Sequence, residues 1–63
     1  MQGPQLKTQR LLVGVKTIDL AARMGVNRTR VPQLEGQVTV SDEMVRRYLA
    51  ALIELAAEAK GAA

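Results

Sequence analysis

The sequence predicts an all-α fold, a compact four-helix helix-turn-helix domain with a long C-terminal helix. Three observations predict it. Residues 17–36 hold two short helical patterns joined by Met24-Gly25-Val26-Asn27. Residues 42–60 form one alanine- and leucine-rich run that opens on Ser41-Asp42-Glu43. Residues 5–15 place Leu11, Leu12 and Val15 at the three- and four-residue spacing of a helix face. No internal repeat or linker divides the chain, so residues 1–63 read as one domain.

Met1 to Pro4 reads as a frayed end, with Pro4 suited to a helix start because its missing N–H costs little there. Residues 5–15 read as the first helix. The stretch Leu12-Val13-Gly14-Val15 also fits an extended segment, and Gly14 weakens a helix. Thr17 is placed to cap the second helix, with Asp19 near its positive end. Ala21 is small where the two helices of the pair approach. Gly25 can take the left-handed conformation that ends a helix, and Asn27 can accept a free N–H at the start of the next. Leu20, Met24, Val26, Val31 and Leu34 are the apolar positions such a pair buries. Eight residues between 17 and 36 thus fall where the unit needs them.

The third helix is expected from Arg28 to Glu35, with Gly36 as its stop. Pro32 leaves two readings open. Either the helix starts at Arg28 and bears part of the roughly 3 kcal/mol of an interior proline, or residues 28–31 form an irregular turn before a shorter helix. Gln37 to Val40 reads as a loop with locally extended β-branched residues, and Ser41 as the N-cap of the fourth helix. At 100° per residue, the apolar side chains from Met44 to Ala56 span an arc of about 200°, twice what a core-facing stripe needs. Arg46, Arg47, Glu43, Glu54 and Glu58 fill the opposite arc. Three short helices cover so wide a face poorly. The expectation is a homodimer through the helix at 42–60, with Leu49, Leu52, Ile53 and Ala56 at the interface. A well-buried helix with exposed alanines is the alternative.

A 63-residue chain buries only about 60% of its unfolded surface, so its stability as a monomer is marginal. Cysteine and histidine are absent, which removes disulfides, most metal chemistry and the commonest general base. The carboxylates Asp19, Glu35, Asp42, Glu43, Glu54 and Glu58 read as caps and solvated faces without a partnered nucleophile or base. The expectation is therefore no enzyme, no catalytic residue, no metal and no cofactor. The longest apolar run, Leu49 to Ile53, is far shorter than the roughly 20 residues of a membrane span, and no signal peptide is visible, so the chain reads as cytoplasmic.

Charge is uneven. Lys7, Arg10, Lys16, Arg23, Arg28 and Arg30 against Asp19 give residues 1–34 a net +5. The remainder carries −2, for a total of +3. The helix-turn-helix lies in the basic half, which attracts a polyanion. Tyr48 is the sole aromatic residue, so the stacking platform of a single-strand or RNA binder is missing and duplex DNA is favoured.

Residues 20–36, Leu-Ala-Ala-Arg-Met-Gly-Val-Asn-Arg-Thr-Arg-Val-Pro-Gln-Leu-Glu-Gly, resemble the core of the Cro/repressor helix-turn-helix family, which includes small phage repressors and antitoxins of toxin–antitoxin operons. The similarity covers residues 10–36 and extends weakly into Met44 to Leu49. It implies a helical bundle that represses transcription by binding operator DNA as a homodimer, third helix in the major groove, in a bacterium or phage-infected cell. An antitoxin whose fourth helix grips a toxin protein is the alternative. By position, the resemblance implies base contacts from Arg28, Thr29, Pro32, Gln33 and Gln37, and phosphate contacts from Lys16, Thr17, Asn27 and Arg30. The periodicity agrees in part: if Val31 and Leu34 point inward, residues 28, 29, 32 and 33 point outward. Thr17 stands where the family usually has glutamine, Pro32 interrupts the third helix, and the fifth helix of many members has no counterpart here.

Overall fold

The computed structural model describes residues 1–62, which fold into α1 (Gly3–Val13), α2 (Thr17–Met24), α3 (Arg30–Glu35) and α4 (Asp42–Ala62). Among the described residues there is no strand, and no helix is long and apolar enough to cross a membrane. α1 and α2 each pack on both α3 and α4, whereas the backbones of α3 and α4 do not approach each other closely and meet only through core side chains. Leu6, Leu20, Ala21, Val31, Leu34, Val40, Tyr48, Ala51 and Leu52 form the buried core where these contacts meet. Each of the larger side chains there contributes about 1.5–3 kcal/mol by leaving water.

Two glycines set the chain reversals. Gly14 (φ 79°) ends α1 and Gly25 (φ 74°) ends α2, both in the left-handed region where a side chain is strained. The chain closes each end in the same way. Val15 N–H donates to the Arg10 carbonyl (3.2 Å), and Val26 N–H donates to the Ala21 carbonyl (3.0 Å). Gly14 therefore terminates the first helix rather than weakening it, and the segment 14–16 turns toward α2 instead of extending.

The phase expected for α1 is wrong. Leu11 and Leu12 are 59% and 76% exposed, and Val15 lies outside the helix, half-buried. The face α1 buries is Gly3, Leu6 and Arg10, related by helical spacing. Nor is the N-terminus frayed. Gly3 N–H donates to the Gln37 carbonyl (2.8 Å), and Val40 N–H donates to the Met1 carbonyl (2.9 Å), which stitches residues 1–3 onto the loop at 37–40. The Gln5 side chain accepts the Gln2 N–H at 2.9 Å and caps the helix.

Thr17 does not cap α2. Lys16 is the N-cap, without a side-chain bond, and Thr17 is the first helical residue. α3 starts at Arg30, two residues later than a start at Arg28. Asn27 Oδ1 accepts both the N–H and the hydroxyl of Thr29 at 3.0 Å, which folds residues 27–29 into a turn ahead of the helix. Pro32 thus sits in the first turn of α3, where its missing donor breaks no helical bond. Gly36 closes α3 with ordinary right-handed geometry (φ −89°). Ser41 caps α4 as expected, its hydroxyl accepting the Met44 N–H at 3.3 Å.

Candidate nucleic-acid interface

The turn at 27–29 and the short α3 present one polar, basic surface. Asn27, Arg28, Thr29, Arg30, Pro32 and Gln33 are all exposed, and Val31, Leu34 and Glu35 turn inward. Gln37 follows in the loop with its side chain exposed. Lys16 is exposed at the N-terminus of α2, next to the half-buried Thr17. The expected base- and phosphate-contacting residues thus fall on two segments, 16–17 and 27–37. The side chains of Arg28 and Arg30 make no ion pair among the described residues.

Two other cations of the basic half are spent internally. Arg23 on α2 reaches across to α4, where it bonds Glu54 at 3.1 Å and also pairs with Glu58. These two carboxylates, one helical turn apart, lie on the solvated face expected for them and meet Arg23 there. Arg10 is buried, and its guanidinium lies against Glu35. Arg10 Nε donates to Glu35 Oε2 (2.7 Å), Nη2 donates to Oε1 (3.3 Å), and Nη1 donates to the Val15 carbonyl (3.0 Å). Glu35 was expected on a solvated face, and the structure overturns that: it is 7% exposed. The Tyr48 hydroxyl, from α4, donates to Glu35 Oε2 at 2.5 Å and lies 3.2 Å from the Leu6 carbonyl.

This network is complete, since no buried side-chain nitrogen or oxygen among the described residues lacks a partner. The bond to Glu35 holds the Arg10 pKa above its usual value despite burial. Burial, then the bond to the Glu35 carboxylate, push the Tyr48 hydroxyl well above the ordinary phenol range. Sequence reading missed the triad, although one signal for it was present. Glu35 lies four residues after the inward Val31, and Arg10 lies four after Leu6, so both belong to buried faces by periodicity.

The residues expected at a dimer interface do come together, but against α1. Leu49, Leu52, Ile53 and Ala56 line an open groove with Gln9 and Val13. Leu52 is only 3% exposed and belongs to the core. Leu49 and Ala56 are half-buried, and Ile53 is 70% exposed. The wide apolar arc of α4 is therefore covered largely from within the chain. Val13 (43%) and Ile53 remain as exposed apolar side chains at the groove.

No family model, no curated protein and no solved structure matches this chain.

Proposed function

We propose that this chain is a sequence-specific duplex-DNA-binding repressor of the Cro/repressor type, acting in the cytoplasm as a homodimer. α3 and the turn before it enter the major groove. Arg28, Thr29, Pro32, Gln33 and Gln37 meet base edges, and Lys16, Thr17, Asn27 and Arg30 meet phosphates. The observation that carries the reading is the two-sided character of residues 27–35. Val31, Leu34 and Glu35 are fixed in the core, which leaves Arg28, Thr29, Arg30, Pro32 and Gln33 outward on a short element held from behind. A recognition element has this requirement, because it must offer hydrogen-bonding side chains without burying them in its own domain. The internal pairing of Arg10 and Arg23 supports the same reading, since Lys16, Arg28 and Arg30 are exposed and make no ion pair among the described residues.

A second reading, an antitoxin-type module that binds a partner protein, is favoured by one feature, the open apolar groove between α1 and α4. It is compatible with the first. Binding of duplex fragments from the protein's own locus, titrated against salt, tests the proposal. Arg28→Ala is expected to cost about 1–3 kcal/mol and to relax sequence preference if its contact to guanine is bidentate. Lys16→Ala is expected to weaken specific and random duplexes alike and to lower the salt slope by about one unit. Equal loss on all sequences for Arg28→Ala would remove it from the base-reading set, and a parent chain that binds no duplex would end the proposal.

A further inference from the structure

α3 has six residues, far too few to hold a helix by local propensity, and no side chain caps its start. Its placement therefore comes from tertiary contacts. Val31 and Leu34 fix its depth in the core, but apolar contacts are non-directional and tolerate rotation and sliding. Gly3 N–H ties α1 to the Gln37 carbonyl just past the helix, and the directional side-chain contacts within α3 are at Glu35. Its two carboxylate oxygens receive Nε and Nη2 of Arg10 from α1, and the hydroxyl of Tyr48 from α4. The bonds from α1 and the bond from α4 approach from different helices, so the end of α3 is held from two sides.

The α4 bond is unusual in this fold. The backbones of α3 and α4 do not approach closely, and the Tyr48–Glu35 bond is the one hydrogen bond joining these helices among the described residues. Tyr48 is fully buried and reaches Glu35 through the core. A phenylalanine would fill the same volume, so the packing does not require the oxygen.

We propose that Tyr48 is a positioning residue. Its hydroxyl carries the placement of α4 through the core to Glu35, and so fixes the orientation of α3 and the presentation of residues 28–33. The link itself is independent of what α3 contacts. Its consequence for recognition rests on the duplex-DNA reading above.

Tyr48→Phe removes the bond and keeps the ring. Amide hydrogen exchange on the free protein reads the link directly. A bond to a charged partner, once lost, is expected to lower protection at Leu34 to Gln37 by about tenfold or more relative to the α2 and α4 cores. A uniform loss across all four helices, or no loss, overturns the proposal, because a purely structural oxygen would weaken the whole domain together. A second measurement covers the case in which the variant fails to fold. In the unaltered protein the Tyr48 hydroxyl proton should exchange slowly with water and show cross-relaxation to the Glu35 side-chain protons. A rapidly exchanging hydroxyl without that cross-peak also overturns it. In duplex titrations, Tyr48→Phe should weaken specific binding more than random-sequence binding, so that the ratio of the two affinities falls several-fold. If the parent binds no duplex, the functional reading fails while the exchange result still decides the link.

Discussion

Gly3 tests the packing most sharply, because two effects of opposite sign compete there. In an isolated helix, Gly3→Ala would stabilise by about 0.5–1 kcal/mol through lower chain entropy and better propensity. In this fold a β-carbon at position 3 would lie 2.6 Å from the Glu35 and Gln37 carbonyl oxygens, and closer still to that of Leu34. All three are backbone atoms at the end of α3, so no side chain can rotate away. Moving α1 off α3 also stretches the bonds Gly3 N–H to Gln37 and Val40 N–H to Met1. Overpacking costs about 1–3 kcal/mol, and the two bonds add about 0.5–1.5 kcal/mol each. The steric side wins, with a net loss of about 1–5 kcal/mol. For a domain of this size that lowers the melting temperature by at least about 4 °C. It is also a large share of the roughly 3–9 kcal/mol such a chain commands in total. Thermal denaturation followed by circular dichroism measures it, with Gly36→Ala as the matched control. At Gly36 an added β-carbon meets its nearest neighbours at 3.5 and 3.6 Å, and φ is ordinary, so the control should melt at or slightly above the parent. A Gly3→Ala protein that melts with the parent, beside a well-behaved control, would refute the close approach of α1 to the end of α3.

Three further outcomes follow from the same geometry. Glu35→Leu leaves the Arg10 guanidinium buried without its carboxylate and should cost about 3–5 kcal/mol in urea denaturation, and adding Arg10→Leu should recover most of that loss. An additive double variant would mean that the pair is not coupled. Tyr48 ionises in the unfolded chain near its ordinary value of 10.0 but only at higher pH in the folded one. Stability that is fully present below pH 10 should therefore fall as pH rises from there, by at most about 1.4 kcal/mol per unit, and a Tyr48→Phe profile that keeps the same alkaline slope would contradict this. If a second copy of the chain docks on the α1–α4 groove, the parent should run as a dimer at micromolar concentration and Ile53→Asp as a monomer. A monomeric parent would reject the interface.

The number of helices, their order and most of their punctuation were legible in the sequence. Gly25 and Ser41 act locally, through a backbone angle and a short side-chain bond, and such signals need no knowledge of the rest of the chain. The inward set of α2 and α3 was legible for the same reason, because Leu20, Val31 and Leu34 announce a buried face by spacing alone. Once those residues point inward, the outward placement of Arg28, Thr29 and Gln33 follows. Periodicity marks Arg10 and Glu35 as members of buried faces, but it does not show that the two meet. Arg10 and Glu35 are 25 positions apart, and each taken singly belongs in water, since burying a lone charge costs far more than a helix face can return. Only their meeting in space, completed by Tyr48, makes burial tolerable, and that meeting reset the phase of α1 and left Leu11 and Leu12 in solvent. The close seat of Gly3 and the covering of α4 have the same origin. Both depend on where distant segments of backbone come to rest, and periodicity along one helix carries no information about that.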